Sequence, residues 1–581
     1  MTTGITRQVW AACLAVAAGS AQAGESALHV VIASGADAPG FDPGVTITGS
    51  QVPSLVGSPR LNNSGDICYF VAVTGPGIGA SNDGVVYTGS PGNLQIVARE
   101  GGAAPGIGST LTTINDLCFN DAGAAGFVGL TAAGYGVFVG PAGGLGAVTW
   151  AGRPLPGFPG TNWQLSPPAL VLNDVNVAGF NGTTSGAMAT TGAFTGSVVS
   201  DVITLLLAGG PAPDLAGVFF AGFPTDGNNN APVVLNASGE ATLLRALQGA
   251  GVNSINDESL WTGTPTTLTL LAREGSQPGG LSPDFQYTGF EDSSFIHIDD
   301  NGDTTFRASI FGPGVGSSND IAYFHGAPGN VTMLMREGQG TPAGFPAGAV
   351  IGGFTRVMGN SSGVFMAHFT AATNAGLGIN VGNNDGLVVG TPGNFHAVMR
   401  EGFQAPGFDP GFGVGRPLGY AMNSAGDTLV YANIGGPGVT ASNNFVFWLV
   451  RPDGDAFPVF RTGTVVEVAP GDMRTITSVK VPDIVTTNGE DGRPTFFNDN
   501  GRFTFLALFA EGGTGVITVD IAYPPDCSAD IDGSGTIDFG DLNALLDQWG
   551  TPGPEADIDG SGTVDFNDLN ILLDGWAVTC T

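Results

Sequence analysis

The sequence predicts an all-β repeat fold, a β-propeller of eight blades, from three observations: a motif that recurs eight times, a glycine-rich composition poor in charge, and the phase in which the repeats start and stop. The motif is Asn-x-x-Gly between apolar residues. It stands at Asn62 to Gly65, Asn120 to Gly123 and Asn236 to Gly239, and starts again at Asn360, Asn423 and Asn498. Variants lie at Asn173, with Asn176 replacing the glycine, and at Asp299, with Gly302. Successive copies are 58, 53, 63, 63, 61, 63 and 75 residues apart, a period that marks a repeat architecture. Glycine is 96 of 581 residues, charged residues are 12% and apolar residues 42%. That suits short strands joined by tight turns and is too apolar for disorder.

Each element of the repeat reads as a strand or a turn. In Asn-x-x-Gly the asparagine side chain caps a tight hairpin and the glycine takes positive φ. A short apolar strand ending in glycine follows, as in Gly84 to Gly89, Gly136 to Gly140, Leu260 to Gly263 and Gly386 to Gly390. Then come Pro-Gly-Asn, which fits a type II turn, a strand, and Arg-Glu-Gly, best seen at 91–101, 328–338 and 392–402. After residue 23 the chain opens on Val30 to Gly35, the end of a unit, and it leaves the repeats at Gly515 to Val519, the middle of one. An orphan first strand and an incomplete last unit are what ring closure requires, with the N-terminal strand completing the last blade. Closure also leaves few exposed edges. An open β-solenoid is the competing arrangement.

The Asn-x-x-Gly units resemble a bacterial tandem-repeat family whose signature is written NxxGxxAF. Phe127 after Asn120 and Phe505 after Asn498 keep its terminal phenylalanine, whereas Cys68-Tyr69 has drifted. The resemblance covers roughly residues 27 to 521. It implies the architecture and no activity.

Residues 1–23 read as a signal peptide. Arg7 precedes an apolar stretch from Val9 to Ala18, and Ala21-Gln22-Ala23 supplies a small-x-small cleavage site before Gly24. Trp10 stands where a lipoprotein signal at Cys13 would want a small aliphatic residue, so a soluble secreted or cell-surface protein is expected. The cysteines beyond it, Cys68, Cys118, Cys527 and Cys580, have no zinc spacing, and export permits disulfides. The net charge of −33, with Lys480 the single lysine, argues against nucleic acid or an anionic membrane as partner.

The C-terminal residues 526–581, following a repeat domain at 24–525, carry the most specific pattern. Asp530, Asp532, Ser534, Thr536, Asp538 and Asp541 occupy positions 1, 3, 5, 7, 9 and 12 of a loop with Gly535 at position 6. Twenty-seven residues later Asp557, Asp559, Ser561, Thr563, Asp565 and Asp568 repeat it around Gly562. Calcium takes six to eight oxygens, and this spacing delivers them, position 7 through its carbonyl; two ions are expected. Ile537 and Val564 at position 8 suit a pairing of the loops. Leu542, Leu545, Leu546 and Trp549, and then Leu569, Leu572, Leu573 and Trp576, have helical spacing after each loop.

Two loop–helix units with no helix before either loop resemble the dockerin module of bacterial extracellular assemblies. Cys527 and Cys580 bracket the unit, as in a cysteine-flanked, type I-like variant, and the resemblance implies that they pair. It further implies a cohesin-like or cell-envelope anchoring partner. Serine at position 5 removes a charge in both loops. Phe539-Gly540 and Phe566-Asn567 stand where dockerins often carry Ser or Thr.

Two further recurrences are candidate sites. Arg99/Glu100, Arg273/Glu274, Arg336/Glu337 and Arg400/Glu401 are equivalent carboxylate-bearing pairs, and their repetition favours a structural strand-end role over acid–base catalysis. The loop at 75–83 recurs at 312–320 and 436–444 and reads as turn chemistry before ligand chemistry. No catalytic residue is assigned. The expected function is calcium-dependent attachment of a binding or display propeller. The alternative is an extracellular carbohydrate-active enzyme, of hydrolase or lyase type in polysaccharide catabolism. A unique carboxylate cluster at the propeller axis would favour the enzyme, and uniform loops would favour binding.

Overall fold

The computed structural model describes residues 26–49, 58–164, 169–222, 233–291, 295–342, 344–481, 488–522, 529–553, 556–558 and 561–577. The expected signal peptide at 1–23 and the expected Cys527–Cys580 bond lie outside them. Two compact units divide the chain, one of residues 24–406 and 413–523 and another holding 524–581.

The apolar runs of the repeats become strands buried on both faces. In Ile67–Thr74, Ile67, Tyr69, Val71 and Val73 pack toward Leu506 and Val516, while Cys68 and Phe70 pack with Leu111, Phe127 and Phe138. Alternate side chains thus serve two neighbouring sheets, as the period-2 geometry of a strand dictates. Eight antiparallel sheets of four or five strands follow in sequence. They cover 46–99, 103–150, 161–207, 218–273, 286–336, 351–400, 413–461 and 465–520, and are blades 1 to 8 of a propeller. Apolar clusters of the same kind fill the spaces between blades 2 and 3, 3 and 4, 4 and 5, and 7 and 8.

The ring closes as the repeat phase predicts. Strand Ala27–Ala33 pairs antiparallel with Thr514–Asp520, Leu28 opposite Val519 and Ala33 opposite Gly515, and becomes the outer strand of blade 8. His29 Nε2 meets Asp520 Oδ2 at 3.1 Å, and Arg502 bonds the same carboxylate. An open solenoid would leave both strands as edges.

All eight motif residues cap their turns as expected. Their Oδ1 atoms accept the N–H four residues on, for example Asp66 to Asn62 and Arg502 to Asn498, at 2.8 to 3.3 Å. The residue three places on has positive φ in each, including Asn176 at 63°. The other half of the asparagine amide does something the motif alone does not reveal. Nδ2 of Asn120 donates to the carbonyl of Asn173, Asn173 to Asn236, Asn236 to Asp299 and Asn360 to Asn423, at 2.7 to 3.0 Å. Asn62 reaches Asn120 at 3.4 Å, and Asn498 returns to Asn62 at 2.9 Å. One residue type therefore both makes the turn and ties six of the eight blades to the next around the axis, while Asn423 Nδ2 is buried without a partner.

The longest interval between motifs, 75 residues against 53 to 63 elsewhere, supplies a plug. Residues 488–495 cross the inner ends of several blades. Leu61, Leu172 and Leu235 donate backbone N–H to the carbonyls of Thr495, Gly492 and Asp491 at 2.8 to 3.1 Å. Asn488 Nδ2 donates to the carbonyls of Ile298 and Gly359. This spans blades 5 and 6 at the point where Asp299 has no amide to offer. Asp491, fully buried, lies 2.9 Å from Arg493 and 3.0 Å from His297. Burial pushes His297 down to about 4.

In the second unit, helices α1 (Phe539–Asp547) and α2 (Phe566–Asp574) follow the two loops. Leu545 and Leu572 are buried with Ala529, Ile537, Ala556 and Val564. Trp549 and Trp576 lie beyond the helices that their spacing suggested. α1 gives way at its Gln548 cap to a turn through Gly550 at φ 73°, and α2 stops at its Gly575 cap.

Candidate functional site

At the axis, the residues after seven of the eight motif positions line a cavity of about 180 Å³, among them Asp121, Asp174, Asp300 and Asp499, together with Glu490 and Arg493 of the plug. Four of these carboxylates hold the same place in the repeat, and they are engaged with neighbouring turns. Asp121 Oδ1 accepts from Asn63 N at 2.7 Å, Asp174 from Asp121 N at 2.9 Å, Asp300 from Ala237 N at 3.0 Å and Asp499 from Ser424 N at 2.8 Å. Glu490 accepts from Ser361 N and Oγ at 2.9 and 2.6 Å and from Asp300 N at 3.2 Å. The cluster is thus a second set of inter-blade bonds beside the asparagine amides. Its cavity is smaller than the ~300–1,000 Å³ usual for organic ligands.

Burial pushes the Glu490 carboxyl up to about 7, with the Asp300 charge adding to it against the Ser361 hydrogen bonds. Asp121 and Asp299 are pushed up to about 6, again chiefly by burial. Folded values above the unfolded ~4.3 of a glutamate mean that the native state holds protons the unfolded chain has lost. The contribution of these carboxyls to stability should therefore fall as pH rises from about 4.3 to 7 and level off above. His297, held down at about 4, works in the opposite sense over the same range. The expected result is therefore a difference between proteins: the Tm of Glu490→Gln, which keeps an acceptor for Ser361, should gain on that of wild type as pH rises from about 4.3 to 7. Superimposable pH profiles of wild type and variant, measured by scanning calorimetry, would refute the assignment.

The Arg-Glu-Gly elements have strand-end roles. Arginine Nε of Arg99, Arg273, Arg336 and Arg400 donates to the carbonyl of Asn82, Asn256, Asn319 and Asn383, at 2.7 to 3.1 Å. Glu100 and Glu274 accept backbone N–H from Gly84 and Asp257, each at 3.2 Å. The loops at 75–83, 312–320 and 436–444 are held by their own asparagines, whose Oδ1 and Nδ2 bond backbone within the loop. Arginine and loop form one latch. Cys68 and Cys118 are buried free thiols, and Cys118 Sγ donates to the carbonyl of Leu170.

In the second unit the first loop gathers donor oxygens of Asp530, Asp532 and Asp541 within 4.8 Å of one another. Asp538 and Asp541 form a capping box on α1, and Asp565 and Asp568 form the same box on α2. Each loop aspartate at position 12 is fully buried. It accepts two loop N–H groups: Asp532 and Asp538 donate to Asp541, and Ile558 and Asp565 donate to Asp568, at 2.6 to 3.0 Å. Asp530 and Asp557 each hold one oxygen on the N–H of Gly535 or Gly562, while their Oδ1 atoms are buried with no hydrogen-bond partner. Ser534 and Ser561 donate to the carbonyls of Thr536 and Thr563. Orphaned, buried anionic oxygens at equivalent places in two loops fit a cation. Asp559 lies outside the described residues. Ile537 and Val564 are both buried in the shared core. Each bonds the segment after the other loop's helix: Ala577 N donates to Ile537 O, and Gly550 N to Val564 O.

A family model, described as a family of unknown function (DUF7453), matches residues 15–134, 126–320 and 277–529. The chain belongs to this family. No curated protein matches it. Among solved structures it is similar to prolyl oligopeptidase B from Galerina marginata at 8% identity and a TM-score of 0.31, covering 70% of this chain and 48% of that one. A puromycin-hydrolyzing peptidase of Mycobacterium tuberculosis matches at 10% identity and a TM-score of 0.32, covering 79% and 60%. A Lactobacillus plantarum protein matches at 11% identity and a TM-score of 0.28, covering 70% and 93%. The chain spans about half the length of the oligopeptidase, and nothing about activity follows from such scores.

Proposed function

We propose that this member of DUF7453 is an exported or surface-attached protein whose propeller is a binding or display body and whose C-terminal module binds two calcium ions and docks on an anchoring partner. The observation that carries the reading is the pair of unpartnered, buried Asp530 and Asp557 oxygens at equivalent loop positions. The docking face would be the apolar residues that the two helices leave in solvent. Phe539 and Phe566 are each 70% exposed, beside half-exposed Leu546 and Leu573. Phe539 packs edge-on against Trp576 and Phe566 against Trp549, at 4.9 and 5.1 Å. Two equivalent faces of one small unit suit a protein partner, a cohesin-like or envelope anchor.

Binding is favoured over the glycan-processing alternative by the axis itself, because four of its carboxylates are repeat-derived and engaged with backbone N–H groups. The test is sedimentation of the full-length protein with native cell envelopes. Association in millimolar calcium, release by EGTA and loss in Phe539→Ser/Phe566→Ser are expected. Association indifferent to chelator and to both substitutions would overturn the reading.

A further inference from the structure

Position 299 breaks the rule that the ring otherwise keeps, since it alone of the eight motif positions carries aspartate in place of asparagine. Aspartate lacks the amide that ties six other blades to their neighbours, and the plug supplies Asn488 instead. Asp299 still caps its turn through Oδ1, so the turn does not explain the acid. What lies beside it does. Asp303, at the start of strand Thr304–Phe311, and His325, in strand Ile321–Gly326, each bring a ligand atom within 4.8 Å of that of Asp299 and of one another.

The imidazole is held from two directions that are not part of this cluster. Thr305 Oγ1 lies 3.1 Å from Nδ1, directly across the ladder. The ring of Phe365 in blade 6 packs edge-on at 4.9 Å. Nε2 is left facing Asp303 Oδ2 at 3.8 Å, too far for a hydrogen bond. It is also near the separation of two donors sharing one ion at ~2.0–2.2 Å. A ligating histidine usually has its other ring nitrogen held by an oxygen group, and Thr305 Oγ1 is placed to do this here.

We propose that Asp299, Asp303 and His325 form a divalent-metal site in blade 5. The imidazole nitrogen selects a transition ion of the zinc class over calcium or magnesium, whose sites are built of oxygen alone. Asp299 is buried, and His325 and Asp303 are partly open, so protein ligands fill one side of the ion and leave room for water or a further ligand on the other. The neighbouring Asp300 adds negative potential at Asp299.

The test uses full-length protein with its calcium loops saturated by millimolar calcium, titrated with cobalt(II) as a spectroscopic stand-in and with zinc(II) by calorimetry. One equivalent of each is expected, cobalt giving visible d–d bands and zinc raising the propeller's Tm. Asp299→Asn is the decisive variant, because it restores the residue that the ring uses elsewhere and should fold as well as the wild type. It and His325→Gln should lose the bands and the Tm shift. Absence of binding by the wild type, or bands and a shift unchanged in Asp299→Asn, would overturn the site.

Discussion

Deleting residues 24–36 should leave a chain that no longer melts as a single cooperative monomer. Strand Ala27–Ala33 is the outer strand of blade 8, although it lies almost five hundred residues from its partner in sequence. Its removal exposes the whole of Thr514–Asp520 as a free edge, the situation that invites strand pairing between molecules. Val31 and Ile32, both buried against Ile47, Leu506 and Val516, go with it. Side chains of this kind contribute ~1.5–3 kcal/mol each when fully buried. The backbone pairs and the His29–Asp520 contact are lost as well. Several kcal/mol is a large share of the ~5–15 kcal/mol that holds a domain folded. Because closure joins the first blade to the last, the loss should spread beyond blade 8. Calorimetry with light scattering would show a lower, broader transition and aggregation, and Ile32→Asp should show a milder form of both. A truncated protein that stays monomeric with an unchanged Tm would contradict the closed ring.

What sequence could and could not foretell follows from how local each signal is. Turns are local, so Asn-x-x-Gly declared its cap and its positive φ, and the phase of the repeats declared the closing strand. The outward half of the same amides was not legible, because Asn120 Nδ2 finds its acceptor 53 residues away on Asn173, and only the assembled ring brings them together. The plug was visible merely as a longer interval. Nothing in Asn488 to Arg493 announces that its carbonyls will receive Leu172 and Leu235 of distant blades. Asp299 read as a drifted copy, and its meaning appears only when the sheet ladder sets His325 opposite Thr305. The helical spacing overran its helices at Trp549 and Trp576, since the tryptophans continue the apolar stripe from the turns that follow. The two aspartate loops and the helices after them were the most legible part of the second unit, because the oxygens proposed to hold an ion all lie within twelve residues.

Removing calcium should unfold the second unit and leave the propeller intact. The unit has no lysine or arginine between residues 526 and 581 to offset the aspartates of its loops, so those charges repel one another unless an ion sits among them. Each helix is only nine residues long, shorter than the ~12–15 residues needed for marginal stability in isolation. Its capping box adds only ~0.5–2 kcal/mol. The remaining core is small: among the described residues it holds six buried side chains shared by both halves, with a few half-buried ones packed against them. An ion at ~100 times its Kd would add ~2.7 kcal/mol per site, enough to decide whether such a unit folds. Scanning calorimetry of the full-length protein should therefore show a minor transition in millimolar calcium that EGTA abolishes, beside a propeller transition that EGTA leaves in place. Asp530→Asn with Asp557→Asn keeps the side-chain shape and removes the charge of the two unpartnered oxygens. The doubly substituted protein should need far more calcium to recover the minor transition. Thermograms identical with and without chelator, for wild type and variant alike, would mean that the loops fold without an ion and that attachment cannot depend on one.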